Sequence, residues 1–181
     1  CLWISNDGGE TWEQITSALP ALVSGYHSAI NTISPHPTEA GRIYMGVSFY
    51  LDPNVMEPTH GGMFVSDDYG EQWAFLASTD VLSAVEEIAY DAVNPNLLYA
   101  GTRSKSIWRS DNGGTTWQQL IIPGLLPPIG VGSLATHPNQ ANVLLARFLS
   151  SAETSNPSGV LYRSENAGQS WTQLDDGTSD G

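Results

Sequence analysis

One eight-residue pattern, Ser-x-Asp-x-Gly-x-Thr-Trp, recurs four times in this chain of 181 residues, and nothing else in the sequence restricts its fold as much. The copies run from Ser5 to Trp12, Ser66 to Trp73, Ser110 to Trp117 and Ser164 to Trp171, so four of the six tryptophans occupy its last position. Each copy follows a short apolar or aromatic run: Leu2-Trp3-Ile4, Met63-Phe64-Val65, Ile107-Trp108-Arg109 and Leu161-Tyr162-Arg163. Such a run reads as a strand entering a tight turn. At the third position Asp7, Asp68, Asn112 and Asn166 can accept hydrogen bonds from turn amides, and the glycine at the fifth can take a positive φ. Exchange of Asp for Asn keeps the acceptor and discards the charge, which fits a structural turn better than a catalytic carboxylate. Trp12, Trp73, Trp117 and Trp171 are expected to pack where the following strand begins.

A second motif precedes the last three copies: Ile33-Ser34-Pro35-His36-Pro37, Ile88-Ala89-Tyr90-Asp91-Ala92 and Leu134-Ala135-Thr136-His137-Pro138. Nine residues after its end each reaches Gly46, Gly101 or Arg147 in a further apolar strand. A full unit is therefore four strands in an antiparallel meander, A to D, with the octapeptide turning C into D, as in one propeller blade. The units assign a half blade to 1–16, blades to 29–77, 85–121 and 131–174, and a polar tail to 175–181. The expected fold is all-β: about three and a half blades of a propeller larger than the segment, with the rest of the ring in the parent chain.

These residues resemble the Asp-box, or bacterial neuraminidase repeat, family, found in sialidases, xyloglucan-cleaving glycosidases, the luminal domain of sortilin and photosystem II assembly factors. The resemblance implies a β-propeller and extends over nearly the whole chain. It is shared by enzymes and non-enzymes, so function has to be argued from a site.

Composition narrows the functional classes. With 6 basic against 19 acidic side chains the formal net charge is −13, which excludes a nucleic-acid binder acting through a basic surface. The single cysteine, Cys1, permits neither an intrachain disulfide nor a thiolate zinc site. No run of about 18 apolar residues is present, so no helical membrane span is expected. An export signal would lie upstream of Cys1, and the resemblance together with the negative charge points to an extracellular or periplasmic location. No cofactor and no metal are expected.

Unit lengths differ although the strand motifs do not: the four tryptophans are 61, 44 and 54 residues apart. The variation falls in the B–C insertions, Ser48 to Gly61 and Leu149 to Gly159, and in the D–A connections. Both lie at the end of the meander opposite the octapeptides. Variable loops on a rigid scaffold are where binding is expected, so Tyr26, Phe49, Tyr50 and His60 are the candidate residues for a glycan or peptide ligand. Catalysis finds weaker support. Glu86-Glu87 is an adjacent carboxylate pair that regular alternation would send to opposite faces. Arg109 and Arg163 share one repeat slot, and His36 and His137 share the slot of Asp91, which favours a polar turn over metal ligation. The expected function is a non-catalytic binding or scaffold segment; the alternative is part of a xyloglucanase-like or sialidase-like glycoside hydrolase whose catalytic residues lie partly outside it.

Overall fold

The computed structural model describes residues 2–15, 27–50, 60–77, 84–104, 106–122, 130–149 and 160–175. Every regular element among them is a strand. The first sheet pairs β1 (Leu2–Ile4) with β2 (Glu13–Ile15). The second is an antiparallel meander of β3 (His27–Pro35), β4 (Ile43–Tyr50), β5 (His60–Ser66) and β6 (Ala74–Ala77). A third repeats it with β7 (Val85–Tyr90), β8 (Leu98–Thr102), β9 (Ile107–Ser110) and β10 (Gln118–Gln119). The fourth comprises β11 (Gly130–Thr136), β12 (Leu144–Leu149), β13 (Val160–Ser164) and β14 (Thr172–Asp175). No helix among the described residues is long and apolar enough to cross a membrane.

The sheets stack face to face, and the core lies between them. Leu2 packs with Met45, Val47, Phe64 and Trp73 between the first sheet and the second. Tyr44, Met63, Val85, Ile88 and Leu98 fill the next interface, and Tyr99, Ile107, Leu120, Val131, Leu144 and Phe148 the one after. A blade too thin to enclose a core thus buries its apolar faces against its neighbours. The first strands of successive full blades meet, β3 against β7 and β7 against β11, which makes them the innermost strands. Close approach there needs glycine: a Cβ added at Gly46 would lie 2.8 Å from Val85 Cγ1, and one at Gly101 2.8 Å from Val131 Cγ1.

Each innermost strand carries a β-bulge at one repeat position. The register skips Asn31 between Ile30↔Val47 and Thr32↔Gly46, Glu86 between Val85↔Thr102 and Glu87↔Gly101, and Gly132 between Val131↔Phe148 and Ser133↔Arg147. A bulge breaks period-two alternation. Glu86 and Glu87 therefore do not sit on a regular strand, and strict alternation to opposite faces does not hold for them.

Outermost, the residue three after each of the first three octapeptide tryptophans reaches the next blade. Ile15 approaches Gly70, Leu76 approaches Gly114 and Leu120 approaches Gly168, where each would collide with or touch a Cβ on the glycine. In each case an aliphatic side chain caps the glycine and tryptophan of the turn that follows.

Two boundaries differ from the sequence reading. The hairpin expected to open into a loop at Ser48 stays paired through Phe49↔His60, and Tyr50 pairs with His27. Aromatic residues suit a pleated ladder, and pairing satisfies backbone groups that a loop would leave to water. Asp175, assigned to the polar tail, ends β14 opposite Leu161.

Candidate functional site

The octapeptides form one hydrogen-bonded turn four times over. The serine Oγ accepts from the glycine N–H at the fifth position, over 2.7 Å for Ser5–Gly9 and 2.8 Å for Ser66–Gly70, Ser110–Gly114 and Ser164–Gly168. The third side chain accepts from the seventh N–H: Asp7 from Thr11 (2.9 Å), Asp68 from Gln72 (2.8 Å), Asn112 from Thr116 (2.9 Å) and Asn166 from Ser170 (2.8 Å). The indoles of Trp12, Trp73, Trp117 and Trp171 fold back to donate to the glycine carbonyls at 3.1, 3.0, 2.8 and 3.0 Å. Hydrogen bonds from the Thr11 hydroxyl, the Thr11 N–H and the Ser5 hydroxyl lower the Asp7 carboxyl to about 2. Asp68 is lowered too, by the Gln72 N–H and then the Ser66 hydroxyl. Both carboxylate oxygens of Asp7, and Oδ1 of Asp68, are thereby committed to the turn. Sequence reasoning missed three parts of it: the serine as acceptor, the indole N–H, and a second positive φ at the fourth position, 76° at Gly8, 62° at Tyr69, 66° at Gly113 and 57° at Ala167.

His36 and Asp91 hold the A–B turns. Nδ1 of His36 accepts from the Glu39 N–H at 3.0 Å, and Asp91 Oδ1 accepts from Val93 and Asn94, each at 3.0 Å. His137 Nδ1 accepts from Asn139 at 3.1 Å. Asp91 Oδ2 also takes the Asn142 N–H of the next blade at 2.6 Å. Burial opposes ionisation of Asp91, but the three backbone donors prevail and its pKa lies below the ordinary value. The arginines are dispersed. Arg42 pairs with Asp67 at 2.6 Å, Arg109 with Asp111 at 2.6 Å and Arg163 with Glu165 at 2.8 Å. Arg109 also donates to the Ala167 carbonyl of the following blade at 3.2 Å. A converging set able to grip a substrate carboxylate is not formed by these three.

The opposite end, where B–C and D–A connections start, gathers different groups. Phe49 and His60 are backbone partners on β4 and β5, and Tyr50 pairs in register with His27; Tyr26 lies outside the described residues. Near the matching end of the next blade, Glu86 pairs with Arg103 at 3.7 Å. Burial, then the neighbouring Glu86 charge, raises the pKa of Glu87. The bulged Asn31 donates to Ser48 Oγ at 2.6 Å and to the Val85 carbonyl at 2.9 Å, tying the innermost strands of two blades together. Backbone register therefore places the Phe49–His60 pair, and the Glu86–Arg103 ion pair beside Glu87, at the same end of successive blades. The arrangement offers acceptors and donors to a hydroxyl-rich ligand, and no group of three or more His, Cys, Asp or Glu able to hold a metal occurs among the described residues.

Repeated four-stranded sheets joined by these turns define an Asp-box β-propeller segment. Residues 61–180 match the family described as sortilin, neurotensin receptor 3, and residues 3–14 match the BNR/Asp-box repeat. The chain belongs to the sortilin family. A xyloglucanase of Hypocrea jecorina (strain QM6a) is 23 % identical over 189 residues, covering 91 % of this chain and 22 % of the relative. Among solved structures, the GH74 xyloglucanase of Xanthomonas campestris superposes with a TM-score of 0.69 at 21 % identity, covering 96 % of this chain and 27 % of that one. YCF48 of Cyanidioschyzon merolae gives 0.55 at 17 % identity, over 90 % and 40 % of the two chains. These superpositions concern the fold. The chain spans about a fifth of the length of the xyloglucanase relative.

Proposed function

We propose that this chain is a glycan-binding segment of a larger, extracellular Asp-box propeller protein, that it takes a neutral polysaccharide such as xyloglucan, and that it lacks a complete catalytic set. The observation that carries the reading is what strand register puts at the variable-loop end of successive blades: Phe49, Tyr50 and His60 on one hairpin and Glu86, Glu87 and Arg103 on the next blade. Aromatic rings at such a rim stack on sugar faces, carboxylates accept from hydroxyls, and the net charge of −13 repels polyanions. Similarity to xyloglucanases over nine-tenths of the chain supports xyloglucan as the first ligand to try. It also favours a second reading, in which the parent protein is a glycoside hydrolase and this segment supplies part of its substrate cleft. Glycosidase chemistry needs two carboxyl groups on either side of the scissile bond, and Glu86 here is engaged by Arg103.

Calorimetric titration with xylogluco-oligosaccharides, a neutral peptide library and polygalacturonate tests the proposal. The oligosaccharide is expected to bind and the polyanion not to. Phe49→Ala and Tyr50→Ala should weaken binding at unchanged melting temperature, and equal affinity in both well-folded variants removes them from the site. Release of reducing ends by this chain alone would replace the binding reading with the enzymatic one.

A further inference from the structure

Tyr69 breaks the pattern of its own turn. The fourth octapeptide position is glycine in two copies and alanine in a third, and all four residues adopt a left-handed backbone. A bulky side chain is disfavoured there. Tyr69 nevertheless stands at φ 62° with 63 % of its surface exposed, its N–H bound to the Gly41 carbonyl at 3.0 Å. Its ring passes so close to Gly41 that an added Cβ would lie 3.2 Å from Cε2. The ring is therefore braced on one side by bare backbone and open on the other.

Tyr69 lines a groove of about 530 Å³ between the first sheet and the second, at the octapeptide end of the molecule. Its polar lining is Asn6, Glu13, Gln14, Glu71 and Gln72. We propose that this groove is a second carbohydrate-binding site, with Tyr69 as its stacking platform and a neutral oligosaccharide as its occupant. The three amides present donors and acceptors together, as vicinal hydroxyls require, and the two carboxylates accept hydroxyl protons. Glu13 and Glu71 repel uronic acids and sulfated sugars. A left-handed tyrosine where glycine would serve the turn better is the mark of a side chain retained for contact. The ligand class follows the glycan reading above, whereas the location is independent of it.

The test uses the whole chain. Affinities are measured for xyloglucan, mixed-linkage glucan, xylan, mannan, polygalacturonate and an arginine-rich peptide, and hydroxyl-radical footprinting locates whatever binds. The expected result is protection of residues 13–14 and 69–72 by a neutral glycan. Tyr69→Gly should weaken that binding by about tenfold and melt at or above the wild-type temperature, since it loses a platform and relieves a strained turn. Unchanged affinity in Tyr69→Gly, protection confined to the hairpin of Phe49 and His60, preference for the polyanion or the peptide, or no neutral glycan bound at all would each overturn the groove site. Failure of Phe49→Ala to affect binding while groove protection persists would instead overturn the loop-end reading alone.

Discussion

Asp7 and Asn112 hold the same turn with the same backbone donor, and only one of them carries a charge. The acidic copies should therefore respond to pH where the amide copies do not. Asp7 falls from an ordinary 3.8 to about 2 when folded, and Asp68 and Asp91 shift the same way. A depressed carboxyl contributes stability that is present above the unfolded pKa and lost as pH falls through the folded one. Melting temperature should thus decline between about pH 4 and pH 2. The double variant Asp7→Asn, Asp68→Asn should flatten that decline and fold normally at pH 7, as followed by tryptophan fluorescence; an undiminished decline would assign the effect to Asp91. At this scale the acceptor and the fifth-position glycine were legible, because each answers a local backbone demand. The fourth-position φ was not, because Tyr69 and Ala167 mask the glycines that mark it in the other copies.

Between elements, the contact that recurs is aliphatic: Ile15, Leu76 and Leu120 each rest on the glycine of the next turn, while Leu174, at the same repeat position, is 51 % exposed. Leu120→Ala should cost about 2 to 5 kcal/mol in denaturant unfolding, and Leu174→Ala within about 0.5 kcal/mol. Equal losses at the two positions would mean that the leucine acts within its own blade. The period of these side chains was visible in the sequence; their partner, 38 or more residues along the chain, was not. The bulges at Asn31, Glu86 and Gly132 were hidden for another reason. The three residues share no chemistry, and the extra residue is imposed by how the innermost strand lies against its neighbour.

The whole molecule stacks blades in one dimension, so the two end faces are its exposed apolar surfaces. Strand β8, between two blades, is buried at every position, whereas β12 alternates and leaves Leu145 and Leu149 open. At the other end Trp12 is 58 % exposed while Trp73, covered by its neighbour, is 8 % exposed. In isolation the chain should associate through these faces. Sedimentation velocity should show mass rising with concentration, and Leu145→Lys with Leu149→Lys should suppress it; a monomer at all concentrations would mean the faces are covered from within the chain. Strand count, sheet order and turn placement followed from the sequence alone, because an antiparallel meander is set by short-range alternation, turn chemistry and a repeated register. The sequence did not determine that Glu86 and Glu87 escape alternation, that Phe49 and His60 meet on paired strands, or that Tyr69 borders a groove with Glu13 and Gln14. The hairpin pairing depends on how far the ladder of one blade extends, and the other two depend on packing between blades, where no local pattern encodes which distant side chain fills a given gap.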